Sequence, residues 1–159
     1  MRFGNLNREL LDLVYSILTS PGLEDCLPFD ITSRQPLFDQ AIYNIYLPGE
    51  GIKPHVDLAV FDDGIVGISL VSSTLMIFSP ASPDQMVSGY DVEPTSNSEG
   101  IEVNLDPGDI LCMYGPSRYL FTHSISNSMF DILPEAGLRQ RSPRISITLR
   151  RMVAPSEDV

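Results

Sequence analysis

At 159 residues, with 43% hydrophobic and 19% charged residues, the chain is long enough to bury one core and short for two independent ones. Its formal net charge of −11, from 21 acidic residues against ten Lys and Arg, opposes long-range attraction of a nucleic-acid backbone unless the cations gather on one face. Cys26 and Cys112 make no disulfide framework, no run approaches about 18 apolar residues and the N-terminal run is broken by Arg8, Glu9 and Asp12. The expectation is a monomeric intracellular protein away from membranes, cytoplasmic or nuclear, with a mitochondrial address left open.

Leu6, Leu10, Leu13, Val14, Ile17 and Leu18 recur at spacings of three and four, which predicts an amphipathic helix over about 5–19, closed by Pro21 and Gly22. Residues 20–40, with Pro21, Pro28 and Pro36, read as an irregular connection. From residue 41 the pattern changes to short alternating or apolar runs. Strands are predicted at 41–47, 54–60, 65–71, 73–79, 86–92, 100–104, 109–114, 119–125 and 143–152. Residues 80–100 form an insertion around a possible hairpin, and 126–142 a loop. Asp106, Pro107, Gly108 and Asp109 make a turn. Many short strands after one helix predict antiparallel sheets in a sandwich or barrel, with the helix packed outside.

Only two histidines occur, and His55 lies in "YNIYLPGEGIKPHVDLAV" two residues before Asp57. On a strand, residues i and i+2 face the same side, so the two would project together. An imidazole nitrogen and a carboxylate oxygen suit a divalent transition metal, and a second histidine completes a facial triad with open positions. His123 is the candidate, although its separation in sequence says nothing about proximity.

The stretch "RISITLR" alternates strictly, with Arg144, Ser146, Thr148 and Arg150 on one face and Ile145, Ile147 and Leu149 on the other. An ordinary surface strand would carry the same pattern on its wet face. If the polar face points into a barrel, the arginines can hold an anionic ligand, because the guanidinium fork matches a carboxylate. Asn44 and Tyr46 share one face of "AIYNIYL" and could add an amide and a phenol to that set. Five arginines, Arg139, Arg141, Arg144, Arg150 and Arg151, crowd toward the C-terminus.

In chain order these pieces are N-x-Y, a Pro/Gly loop, H-x-D, a distant histidine and R-x5-R. Together with "DPGDILCMYGPSRYLFTHSI", they resemble the AlkB-like family of Fe(II)/2-oxoglutarate-dependent dioxygenases, over about residues 41–152. The resemblance implies a mainly β fold, a double-stranded β-helix or jelly-roll, in a single domain over 1–159. It implies Fe(II) held by His55, Asp57 and His123, and 2-oxoglutarate bound by Arg144 with Asn44 and Tyr46. Arg150 is expected beside Asp57 at the metal-proximal end, and Ser146 stands where the bacterial enzymes have an asparagine. Arg118 and Tyr119, just upstream of the second histidine, are expected to support the barrel mouth.

The implied reaction consumes 2-oxoglutarate and O2, releases succinate and CO2, and hydroxylates or N-demethylates a substrate. The alternative is a catalytically weak binding module of the same fold; a third reading is a jelly-roll interaction domain whose matches are accidental. Family substrates are methylated RNA or DNA, transfer-RNA wobble uridines, or protein. The spacing "HVDLAVFDDGIVGISL" is similar to the eukaryotic transfer-RNA, mitochondrial and protein-directed branches. Ala59 stands where the bacterial type has a carboxylate that contacts the base.

Overall fold

A computed structural model describes residues 2–3, 6–19, 26–82, 100–134 and 137–153. The elements run β1 (Arg2–Phe3), α1 (Arg8–Thr19), α2 (Phe29–Thr32), β2 (Gln40–Tyr46), β3 (Ile52–His55), β4 (Ile65–Leu70) and β5 (Thr74–Pro80). They continue as β6 (Ile101–Leu105), β7 (Ile110–Met113), α3 (Pro116–Tyr119), β8 (Phe121–Ile125), β9 (Phe130–Leu133), β10 (Gly137–Gln140) and β11 (Arg144–Arg150). The expected strand at 86–92 and the helix-closing Pro21 and Gly22 lie outside the described residues.

The strand pairings are nested. β5 pairs with β6, β4 with β7, β3 with β8 and β2 with β11, all antiparallel, so the chain doubles back on itself like one long hairpin. Rolling that hairpin brings β11 against β4 and β8 against β5, giving sheets in the orders β1-β2-β11-β4-β7 and β3-β8-β5-β6. This is the double-stranded β-helix, or jelly-roll, and a separate β9-β10 hairpin is inserted before its last strand.

The two faces of the first sheet have different tasks. Val66, Ile68, Ile147 and Leu149 turn outward and are covered by Leu6, Leu10, Val14 and Ile17 of the α1 segment. Each such buried aliphatic contributes about 1.5–3 kcal/mol of transfer free energy, and Asn7 caps the helix by accepting the Leu10 N–H at 3.1 Å. Between the sheets, Ile65, Met76, Phe78, Leu105, Met113 and Ile125 belong to a second core, four of whose residues, Met76, Leu105, Met113 and Ile125, also line the cavity of the candidate site. Gly51 is needed where β3 meets β8, since a Cβ there would lie 2.2 Å from the Ile125 carbonyl oxygen.

Three expectations need correction. The strand expected at 54–60 ends at His55, so Asp57 sits in the following loop. Pro54 has no N–H to give the ladder, and the Asp57 and Leu58 carbonyls accept from Arg118 instead of a neighbouring strand. The strand expected from 119 starts at Phe121, because Pro116 opens the short helix α3. The loop expected over 126–142 contains the β9-β10 hairpin, whose central Asp131 is buried rather than solvated.

Asp131 is 3% exposed and receives Arg139 Nη2 at 2.8 Å and Arg141 Nε at 2.7 Å, while Arg141 also donates to the Ser126 carbonyl. Removing one partner of such a buried pair leaves the other charge uncompensated. Asp131→Ala is therefore expected to destabilise the protein by about 3–5 kcal/mol, read as a lower urea midpoint at unchanged slope. A shift under about 1 kcal/mol would show that the arginines find water instead.

Candidate active site

His55 and His123 are direct partners across the β3-β8 ladder, which sets their rings 4.3 Å apart between centroids. Asp57 reaches the same point from the loop after β3, with its Oδ2 3.9 Å from His123 Nε2. One ligand atom from each of the three lies within 4.8 Å of the others. No other three-residue cluster of His, Cys, Asp or Glu of this kind occurs among the described residues.

The donor set fits a divalent transition metal. Asp57 is 7% exposed, and its Oδ2 is buried without a hydrogen-bond partner, an expensive state for a carboxylate oxygen unless a cation or water meets it. The His55 Nδ1–H donates to the Lys53 carbonyl at 2.9 Å, which orients the ring and makes Nε2 the nitrogen available to a metal. Burial, followed by repulsion from His55, pushes the His123 pKa down to about 4, so its ring is neutral at physiological pH. Phe78 lies beside that ring with centroids 6.1 Å apart.

The polar face of β11 does point inward. Register places Ser146 opposite Asn44 on β2 and Ser69 on β4, and Arg144 opposite Tyr46. Asn44, Tyr46, Arg144, Ser146, Thr148 and Arg150 line the same cavity as the two histidines and Asp57. Arg144 is 5% exposed, donates from Nε to Ser69 Oγ at 3.2 Å and lies 5.7 Å from the Tyr46 ring centroid. No salt-bridge carboxylate faces it among the described residues. Burial lowers its pKa and raises that of Tyr46, which Arg144 and Arg150 oppose. The phenol stays protonated and the guanidinium charged.

Arg150 ends β11 and forms a hydrogen-bonded ion pair with Asp57 Oδ1, with its guanidinium 4.6 Å from the Phe61 ring centroid. Burial lowers its pKa and Asp57 opposes that shift. One Asp57 oxygen is thus held and the other left facing the histidines. Ser69 and Phe61 were not anticipated as site residues. A signal for Ser69 exists in "IVGISL", where Gly67 and Ser69 interrupt an apolar run on the face that lines the cavity.

The C-terminal arginines do not make a basic face. Arg139 and Arg141 hold Asp131, Arg150 holds Asp57, and Arg144 lines the cavity. Arg34 bonds the Asp63 carbonyl and pairs with Asp62, and Arg118 is 3% exposed. Six of the ten cations in the sequence therefore have internal partners or line the cavity.

Fold and constellation define a jelly-roll with a candidate metal triad and two arginines lining one cavity, and the comparisons with known proteins name the class. Residues 8–150 match the 2OG-Fe(II) oxygenase superfamily, and the chain belongs to that family, in its AlkB-like part. It is 31% identical over 147 residues to the Xenopus tropicalis protein described as tRNA (carboxymethyluridine(34)-5-O)-methyltransferase alkbh8, covering 82% of this chain and 21% of that protein. It is 32% identical over 128 residues to the Arabidopsis thaliana alkylated DNA repair protein ALKBH8 homolog, covering 78% of this chain and 37% of that one. The chain spans about a fifth to a half of the length of such relatives. Among solved structures, that of OsALKBH1 superposes with a TM-score of 0.45 at 19% identity, over 72% of this chain and 48% of that one. The family uses Fe(II) and 2-oxoglutarate with O2. No helix of the described residues is long and apolar enough to cross a membrane.

Proposed function

We propose that the protein is an active Fe(II)/2-oxoglutarate-dependent dioxygenase that hydroxylates or N-demethylates its substrate. The observation that carries this reading is the buried, unpartnered Asp57 Oδ2 clustered with the ring nitrogens of His55 and His123. His55, Asp57 and His123 would hold the iron, which with 2-oxoglutarate and O2 supplies C–H oxidation with release of succinate and CO2. N-demethylation follows when the oxidised carbon is an N-methyl group.

The chain's own residues bind and orient. Arg144 receives the distal carboxylate of 2-oxoglutarate through charge-assisted hydrogen bonds, and the protonated Tyr46 phenol and the Asn44 amide donate to the same group. Ser146, opposite Asn44, stands on the same wall and offers a hydroxyl to the cosubstrate. Arg150 aims Asp57 by holding its Oδ1, and Arg144, which has no ion-pair partner among the described residues, offsets charge on the dianion. Apolar Met76, Leu105, Leu111 and Met113 line the rest of the cavity and limit water.

For the substrate, relatives named for transfer RNA and for alkylated DNA make a modified or N-methylated base the first class to test. The net charge of −11 and the internal use of six cations favour a base presented with a partner, or a protein side chain, over unaided capture of a long polyanion.

The test is succinate formation by anaerobically purified protein given Fe(II), 2-oxoglutarate and O2, with modified transfer RNA, methylated oligonucleotides and methylated peptides as separate additions. Expected is succinate that one substrate class stimulates and that a chelator abolishes, with recovery on adding Fe(II). Absence of both 2-oxoglutarate binding and chelator-sensitive succinate across all additions would sink the enzyme reading. Efficient turnover of free methylated RNA at physiological salt would instead remove the charge argument.

A further inference from the structure

The loop that carries Asp57 has little secondary structure to hold it. After His55 the β3-β8 ladder stops, and residues 56–61 contain one internal turn bond, from the Phe61 N–H to the Leu58 carbonyl at 3.1 Å. Only the far end is bridged, where the Val153 N–H donates to the Val60 carbonyl at 2.9 Å beside the Phe61–Met152 pair, so the stretch around Asp57 has no ladder of its own. A loop built this way would let the Asp57 carboxylate wander by more than metal coordination tolerates. Val56 and Phe61 are buried at its ends, but apolar contacts fix no carbonyl direction.

What the loop does have is Arg118, from the last turn of α3. Its Nη1 donates to the Asp57 carbonyl at 2.9 Å, and its Nη2 donates to the Leu58 carbonyl at 2.8 Å and the Phe61 carbonyl at 3.1 Å. One guanidinium thus satisfies three backbone acceptors that the interrupted strand left without ladder partners. The group is 3% exposed, and its face stacks 4.8 Å from the Tyr119 centroid. No carboxylate forms an ion pair with it among the described residues. A buried cation held by carbonyls alone is costly, so its rigid fork must be answering a geometric need.

We propose that Arg118 is a positioning residue for the metal site: it clamps the 57–61 backbone so that Asp57 Oδ2 meets the two histidines, while Arg150 holds Oδ1. The proposal rests on the reading of Asp57 as a metal ligand. Asp57 is then fixed twice, through its backbone by α3 and through its carboxylate by β11, and α3 leads directly into the strand that carries His123. Lysine cannot replace the clamp in full, since a single ammonium lacks the planar fork that spans three carbonyls.

The experiment is a double-mutant cycle read as Co(II) affinity and visible spectrum, without substrate or turnover. Arg118→Met is expected to weaken Co(II) binding about 10- to 100-fold and to alter the ligand-field bands, with Arg118→Lys in between. In an Asp57→Asn background, Arg118→Met should cause no further loss, because the clamp acts through the carboxylate that is already gone. Equal losses in both backgrounds, or wild-type affinity and spectrum in a folded Arg118→Met protein, would overturn it. If Arg118→Met gives no cooperative melt, the cycle is run with Arg118→Lys. If that also fails to fold, Arg118 serves the fold alone and the proposal falls. Wild-type protein binding Co(II) no better than a His55→Ala, His123→Ala protein would instead refute the metal site itself.

Discussion

Replacing His123 by alanine is expected to cut 2-oxoglutarate-dependent succinate formation to less than about one-hundredth of wild type. The substitution removes one of two nitrogen donors, and the chain has no third histidine to replace it. Because burial holds the ring neutral, the change removes no charge and leaves the Arg150–Asp57 pair intact. The expected cost to the fold is that of a lost buried ring beside Phe78, which a melt separates from the cost to the site. His55→Ala and Asp57→Ala should fall in the same range. A folded His123→Ala protein that keeps half its activity would strike His123 from the proposed metal ligands.

The second large effect is expected at Arg144. Arg144→Met should raise the KM for 2-oxoglutarate about 100-fold while kcat at saturating cosubstrate falls much less, because the guanidinium is proposed to hold the carboxylate far from the reacting atoms. The size follows from roughly 1.5–3 kcal/mol for a hydrogen bond to a charged group and 1.4 kcal/mol per tenfold change. Arg144→Lys should recover part of the loss by restoring a point charge. Steady-state kinetics in varied 2-oxoglutarate, with an anaerobic titration for binding alone, decide it; an unchanged KM would move the cosubstrate elsewhere in the cavity. The prediction is sharpened by the lack of an ion-pair partner for Arg144 among the described residues, so the variant exposes no orphaned carboxylate.

Much of the fold was legible because it is written in periodicity. The three- and four-residue spacing from Leu6 to Ile17 marks the covered face of α1, and the alternation of "RISITLR" marks which side of β11 meets the helix. Where a strand's inner face carries small or polar groups, as at Gly67 and Ser69, the same alternation is hidden. The β9-β10 hairpin escaped because Asp131 reads as a solvated loop residue until Arg139 and Arg141 close on it. The C-terminal arginines show the same limit, since nothing along the chain tells which carboxylate or cavity each one meets. Charge counts along the chain, but partners are chosen across it.

The sequence by itself determined the residue types that a metal and a dicarboxylate need, their order, and the alternation that puts Arg144 and Arg150 on one face of a strand. Those are local properties, set by the two-residue period of β structure. Only the tertiary structure decided that His55 and His123, 68 residues apart, are partners across one ladder, because nested antiparallel pairing and not sequence distance sets that register. It also decided that Asp57 leaves the strand and is held by arginines from α3 and β11. A backbone carbonyl without a ladder partner must find a donor, and which donor it finds is a matter of packing.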